Sequence, residues 1–393
     1  MKNGWQRQQI GDLCEVVAGQ SPEGKFYNSD GKGMPFYQGK RDFGEKFIKN
    51  PTTWTTQTTR MALEGDILMS VRAPVGPVNF ATNEVCIGRG LAAIRSTTEL
   101  NREFLFYQLL YLRPEISGKE GAVFASINKS EIEALHIAFA PLPEQQRIVG
   151  ILDKAFESVA TAKANVEESL QDARAVFESH LESVFTQRGP GWQEKPLSEL
   201  CDIKHGFAFK SEFFTSEGDY VLLTPGNFYE SGGYRDRGEK QKYYIGEIPC
   251  DYVLSEGDLL VAMTEQAAGL LGSPILIPKS DRFLHNQRLG LVTKKPGVPW
   301  TNEFFFHVFN TEAVRREIHD SASGVKVRHT SPTKIGEVVV SFPTSLSEQR
   351  AVVATLKDLS ENIEHLESIY QQKLAALHTL NKSLLHQAFT GQL

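Results

Sequence analysis

The chain repeats itself at long range, and this constrains the fold more than any local pattern. Trp5, Leu13, Cys14, Gly19 and Gly39 recur as Trp192, Leu200, Cys201, Gly206 and Gly226, each displaced by 187 positions. Further on, Glu64-Gly65-Asp66-Ile67-Leu68 is answered by Glu256-Gly257-Asp258-Leu259-Leu260, Arg89 by Arg288, and Glu103-Phe104-Leu105-Phe106 by Glu303-Phe304-Phe305-Phe306. Gly121, Ile132, Ile137, Phe139 and Arg147 match Gly324, Ile335, Val340, Phe342 and Arg350, and Leu152, Leu170, Leu181 and Phe185 match Leu356, Leu374, Leu385 and Phe389. The displacement grows from 187 to 204 and never falls, as loop insertions in the second copy of a duplicated unit would produce.

Each copy has a globular part and a tail of different character. The globular parts hold short apolar runs between Gly, Pro and Asn punctuation. Ile67 to Val71 and Gly290 to Thr293 are predicted strands, and Asn101–Leu112 and Asn302–Ile318 predicted helices. In the tail, positions taken alternately four and three apart from Leu152 are Leu152, Phe156, Val159, Lys163, Val166, Leu170, Ala173, Phe177, His180 and Val184. The second tail gives Leu356, Ser360, Ile363, Glu367, Tyr370, Leu374, Leu377, Asn381, Leu384 and Ala388. These are coiled-coil seams, with Lys163, His180, Glu367 and Asn381 as polar positions that fix register or lie at the edge. Pro141 and Pro143 mark the first helix's start, Ser345 to Glu348 offers a capping box for the second, and Gly189 and Gly391 stop them. A lone seam would leave apolar surface in water, so the two helices are expected to bury each other, antiparallel, as a rod of roughly 60 Å. The expected fold class is α+β. Two tandem mixed globular domains with pseudo-twofold symmetry, over 1–143 and 189–344, are separated by long antiparallel helices over 144–188 and 345–393.

Charge limits what such a chain does alone. The net charge is −6, with 16 basic and 15 acidic residues over 1–140, and 18 and 20 over 188–343. Neither globular part has the basic excess of a protein that holds DNA unaided by phosphate neutralisation. Cationic residues must cluster on one face, or a partner must supply part of the grip. Cys14, Cys86, Cys201 and Cys250 show neither metal-ligand nor disulfide spacing and are expected to be small buried hydrophobes. With no apolar run of membrane length and no signal-type N-terminus, no membrane association and a cytoplasmic location are expected.

Pro141-Leu142-Pro143-Glu144-Gln145-Gln146-Arg147-Ile148-Val149, at the head of a long helix, resembles the conserved-region signature of the specificity subunits of type I restriction-modification systems. Ser345-Leu346-Ser347-Glu348-Gln349-Arg350 is its weaker second copy, lacking the prolines, and Leu384 to Leu393 is similar to the family's usual ending. So are Trp5 to Gly19, the Glu-Gly-Asp-Ile-Leu segment and the turn with Ser126-Ile127. The resemblance covers essentially the whole chain. It implies two target-recognition domains that each read half of a split double-stranded DNA sequence, with the helices as the ruler between them. It also implies two methyltransferase subunits docked on the helices and two motor-nuclease subunits. The chain itself would be non-catalytic and bind no cofactor, S-adenosylmethionine, ATP and Mg being carried by the partners.

The motifs agree with that division of labour. The sequence has no Asn-Pro-Pro-aromatic methylation motif, no glycine-rich methyltransferase loop and no phosphate loop. Asp251, Glu256 and Asp258 could mimic a nuclease site, but Glu256-Gly257-Asp258 is duplicated at Glu64-Gly65-Asp66 before a strand, which makes it a turn. For DNA contact the candidates are Lys40, Arg41, Arg72, Arg89, Ser126 and Lys129 in the first domain. In the second they are Gln266, Gln287, Arg288, Lys326, Arg328 and His329, each weighed against an ordinary solvated side chain. Alternation over Gly324–His329 would place Lys326 and Arg328 on one face of an extended segment. Glu144, Gln145, Arg147, Glu348, Gln349 and Arg350 at the helix heads suit partner contact or domain anchoring. The competing reading is a coiled-coil scaffold whose globular ends bind proteins.

Overall fold

A computed structural model describes residues 4–117, 126–265 and 269–393. They form two compact units, one of Met1–Glu168 with Tyr370–Leu393, the other of Ser169–Ile369. The division runs through the long helices rather than around them, so each unit takes the start of one helix and the end of the other.

The units repeat each other in their two main sheets. In the first, Gln6–Gln9 pairs with His136–Phe139, and a four-stranded sheet runs in the order Cys14–Ala18, Leu91–Ser96, Ile67–Ser70, Val78–Phe80. In the second, Trp192–Pro196 pairs with Val339–Pro343, and the sheet order is Cys201–His205, Leu289–Lys294, Leu259–Ala262, Pro274–Leu276. A further sheet in each has one parallel pair, Met34–Tyr37 with Val85–Ile87 and Tyr220–Leu222 with Phe283–Leu284. Ile67–Ser70 and Leu259–Ala262 are buried at every position, which is why, Ser70 apart, they are continuous apolar runs instead of alternating ones. The predicted helix over 302–318 is two helices, Asn302–Asn310 and Glu312–Asp320, with Thr311 extended between them. The Glu-Gly-Asp segments are turns: Gly65 and Gly257 have φ of 85° and 81°. Asp66 accepts the Leu63 N–H and a two-pronged bond from Arg95, and Asp258 accepts the Ser255 N–H.

The long helices span Leu142–Thr186 and Leu346–Thr390, so they begin and end at equivalent positions although only the first has prolines at its head. Every seam position except Lys163 is buried or partly buried. The antiparallel pairing is visible within each unit. In the first, Ile148, Val149 and Leu152 from the start of one helix share a core with Leu385, Ala388 and Phe389 from the end of the other. In the second, Leu356 shares a core with Leu181 and Phe185, and Arg174 meets Glu367 at 2.6 Å.

Matching aromatic clusters tie the helix ends to the globular parts. Phe104 contacts Trp5 at 6.1 Å and Phe389 at 5.3 Å between ring centroids. Phe304 contacts Trp192 at 6.1 Å and Phe185 at 5.4 Å. Cys14, Cys86 and Cys201 are buried as expected, and burial pushes the Cys14 and Cys201 thiols up to about 12. Cys250 differs: it is exposed, on the short helical turn Cys250–Tyr252.

Candidate nucleic-acid interface

Backbone hydrogen bonds lay four separate chain segments side by side along one rim of the first unit. Gly90 donates to the Gln38 carbonyl at 3.1 Å, Val71 to the Gly90 carbonyl at 2.9 Å, and Ile127 to the Val71 carbonyl at 3.1 Å, while Arg72 bridges to Ser126. Lys40 and Arg41 continue from Gln38 on a tight helical turn, and Arg89 precedes Gly90. Lys40, Arg41, Arg72, Arg89 and Ser126 are all exposed, so the rim collects cations that are scattered in sequence. This is how a nearly neutral domain presents a cationic edge. Lys129 lies just beyond, exposed, on a helix capped by Asn128, and leans toward Glu133 at 3.5 Å.

The second unit has the same frame with different side chains. Met263 donates to the Arg288 carbonyl at 3.0 Å and Thr330 to the Met263 carbonyl at 3.0 Å, while Thr264 pairs with His329. Gln287, Arg288 and His329 are exposed here, and Gln266 lies outside the described residues. Arg288 also lines a cleft of about 1010 Å³, together with Thr224, Gly226, Arg235, Arg237 and Lys242. Sequence reasoning missed Arg235, Arg237 and Lys242. They sit on a long irregular segment with few strands and no repeat partner to mark them. The Glu265 carboxylate also lines the cleft and accepts the Leu270 and Leu271 N–H groups, and burial pushes Arg315 down to about 10.

Three expectations are corrected by this geometry. First, Arg89 and Arg288 are not equivalent. Gly19 donates to Leu91 and Gly206 to Leu289, which sets the offset here at 198, so Arg89 corresponds to Gln287 and Gly90 to Arg288. Matching by identity slipped by one because an arginine stands beside the true position. Second, Lys326 and Arg328 do not share a face of a strand. Ser323 and His329 exchange backbone hydrogen bonds around a bend with Gly324 at φ 100°. Lys326 is exposed on that bend, while Arg328 turns inward, bonding the His319 ring and donating to the His319 carbonyl at 2.6 Å.

The third correction concerns partner contact at the helix heads, where for the two glutamines domain anchoring, the other expectation, holds instead. Gln145 and Gln349 are fully buried and cannot meet a partner. Gln145 accepts the Asn101 N–H at 2.7 Å and donates to the carbonyls of Glu99 and Ala140. Gln349 accepts the Thr301 N–H at 3.0 Å and donates to Pro299 and Pro343. Each glutamine thus pins a long helix to the start of a globular-domain helix. Glu348 is partly engaged too: its carboxylate accepts from the Trp192 indole at 2.8 Å, so only half of the capping box forms, the Glu348 N–H on Ser345 at 3.4 Å. Glu144 pairs with Arg147, which also donates to the Leu393 carbonyl at 2.9 Å, and Arg147 and Arg350 are exposed.

Among the described residues no helix is long and apolar enough to cross a membrane, and no group of three or more His, Cys, Asp or Glu could hold a metal ion. A doubled α+β unit with a duplicated rim and antiparallel long helices defines a class of internally repeated two-domain proteins. The chain belongs to the family described as the type I restriction modification DNA specificity domain, whose model matches residues 2–171 and again 190–373.

Relatives include the MjaX type I restriction enzyme specificity subunit of Methanocaldococcus jannaschii, 40% identical over 174 residues, 43% of this chain. The Escherichia coli type I restriction enzyme EcoBI specificity subunit is 25% identical over 60% of this chain. The aligned stretches span 40% and 44% of those relatives' own lengths. Among solved structures, one concerned with complex assembly and conformational transition of the type I R-M system covers 100% of this chain and 99% of its own, with TM-score 0.79 and 18% identity. The HsdS subunit from Thermoanaerobacter tengcongensis covers 100% and 98%, with TM-score 0.58 and 18% identity. These two share the fold.

Proposed function

We propose that this chain is the sequence-reading subunit of a type I restriction-modification complex. Each unit reads one half of an asymmetric, divided DNA target through its rim, and the long helices set the number of unread base pairs between the halves. The duplicated rim carries this reading: one backbone frame occurs twice and presents different exposed polar side chains each time. Two copies of one frame meet duplex DNA as the halves of a dimeric reader do, but their unequal side chains call for unequal half-sites. Lys326 and Lys129, exposed beside the rims, suit phosphate contact.

Methylation and cleavage belong to partners in this reading: two methyltransferase subunits on the helices and two motor-nuclease subunits. These carry S-adenosylmethionine, ATP and Mg, and this chain is non-catalytic. Arg147 and Arg350 are exposed at the two helix heads, one position apart in register since the offset of 204 matches Arg350 to Gln146, and they suit contact with partner subunits. The family match favours this over a scaffold that binds proteins at its globular ends.

The test is DNA affinity with and without the cognate methyltransferase subunit. The near-neutral globular parts predict weak, salt-sensitive binding by the chain alone and tight, sequence-specific binding once the partner is added. Equal affinity for all sequences in the presence of the partner would contradict the proposal.

A further inference from the structure

The corrected register puts Arg89 and Gln287 at the same place on one scaffold. Both are exposed at the crest of the turn that leads into a central strand, Leu91–Ser96 in one unit and Leu289–Lys294 in the other. Each crest is held by the same neighbouring loop. Gln20 donates to the Ile87 carbonyl at 2.9 Å in the first unit, and Phe207 to the His285 carbonyl at 2.9 Å in the second. The loops come so close that a Cβ on Gly19 would stand 2.2 Å from the Gly88 carbonyl oxygen, and one on Gly206 would stand 2.1 Å from that of Asn286. The crest residue's own N–H is tied down in both, Arg89 to Ser21 Oγ at 3.2 Å and Gln287 to the Phe207 carbonyl at 3.0 Å. The side chain itself projects from a backbone that cannot drift.

One position further on, the two units part. In the first, Gln38 closes over the crest: a Cβ on Gly90 would lie 2.4 Å from its carbonyl oxygen, so no side chain fits there. In the second, the corresponding segment Thr224–Gly226 faces Arg288 across the cleft, beside Arg235, Arg237 and Lys242. The four cations share the cleft with Glu178, Glu230 and Glu265, a lining of net positive charge that suits a phosphate, whereas a lone crest side chain suits a base edge.

We propose that Arg89 and Gln287 are equivalent base-reading residues, Arg89 specifying a guanine in one half-site and Gln287 an adenine in the other, with Arg288 holding the adjacent backbone. Arginine bridges O6 and N7 of guanine, and glutamine bridges N6 and N7 of adenine, both in the major groove. One crest position therefore makes the two half-sites differ at corresponding base pairs. Ser21 is a positioning residue that acts through Arg89.

This rests on the reading of the units as DNA readers. The test maps the methylated sequences made by the full chain with its methyltransferase subunit, for the wild type, Arg89→Gln and Gln287→Arg. Arg89→Gln is expected to change guanine to adenine at one base pair of one half-site, and Gln287→Arg to make the reverse change in the other half. Discrimination at each should move by about ten- to a hundred-fold. Arg288→Ala is expected to weaken every sequence alike and flatten the salt dependence. A wild-type complex without a divided motif would defeat the functional reading itself. A divided motif that both crest variants leave unchanged would overturn only the crest assignment. If Arg89→Gln abolishes methylation, binding by Arg89→Ala decides: relaxation at a single base pair supports the assignment, and equal weakening of all sequences overturns it.

Discussion

His285 lies just ahead of the crest of the second unit, completely buried, with Nε2 2.9 Å from the Leu289 carbonyl. Its Nδ1 is buried with no hydrogen-bond partner among the described residues, so a proton there would be an unpaired charge away from water. Burial pushes its pKa down to about 4, and His307 in the same unit is pushed down to about 4 for the same reason. The unfolded chain holds such a proton below about 6.5 and the folded chain only below about 4. Stability is therefore complete above the upper value and is lost as pH falls through that window, by about 1.4 kcal/mol per pH unit and per histidine at most. Melting curves between pH 7.5 and 4.5 should show a falling transition, with a shallower fall in His285→Gln. Identical slopes for the two proteins would contradict the buried neutral ring.

The long helices were the most legible elements, and their fastening the least. Leu152 to Val184 and Leu356 to Ala388 carry an apolar period that survives Lys163, Glu367 and Asn381, so the seams are legible in the sequence alone. Gln145 could not be read the same way. In sequence it is one of two adjacent glutamines, and the Asn101 N–H that it caps lies 44 positions away. The Arg89–Arg288 match failed for a related reason, since identity scores an arginine while strand register is set by backbone hydrogen bonds. The rims were partly legible: exposed cations near strand ends could be named, but Arg235, Arg237 and Lys242 reach the cleft from an irregular segment. Gln145→Ala would leave the Asn101 N–H and the Glu99 and Ala140 carbonyls without this partner, at about 1–3 kcal/mol for each buried group left unsatisfied. It should lower the melting temperature by several degrees, while Gln146→Ala at its exposed neighbour changes stability by less than about 0.5 kcal/mol. Equal effects from the two substitutions would show that the pin does not matter.

At the scale of the whole chain, duplication supplies the economy. One duplicated unit gives two globular parts, two helix heads and one helix pair in which each unit's core is completed by the end of the helix that follows the other globular part. Phe389 with Phe104, and Phe185 with Phe304, mean that neither globular part is finished by its own copy of the sequence. The two units differ in their crest and cleft side chains, while the glutamine pins and aromatic clusters recur in both. The most direct measurement exchanges residues 197–338, between the strands that hold the second helix head, for the corresponding segment of another family member, and maps the DNA methylated by the complex. One half-site should change completely while the other half-site and the gap stay as they were. A change in both halves, or in neither, would contradict an account in which each unit reads its own half of a divided target.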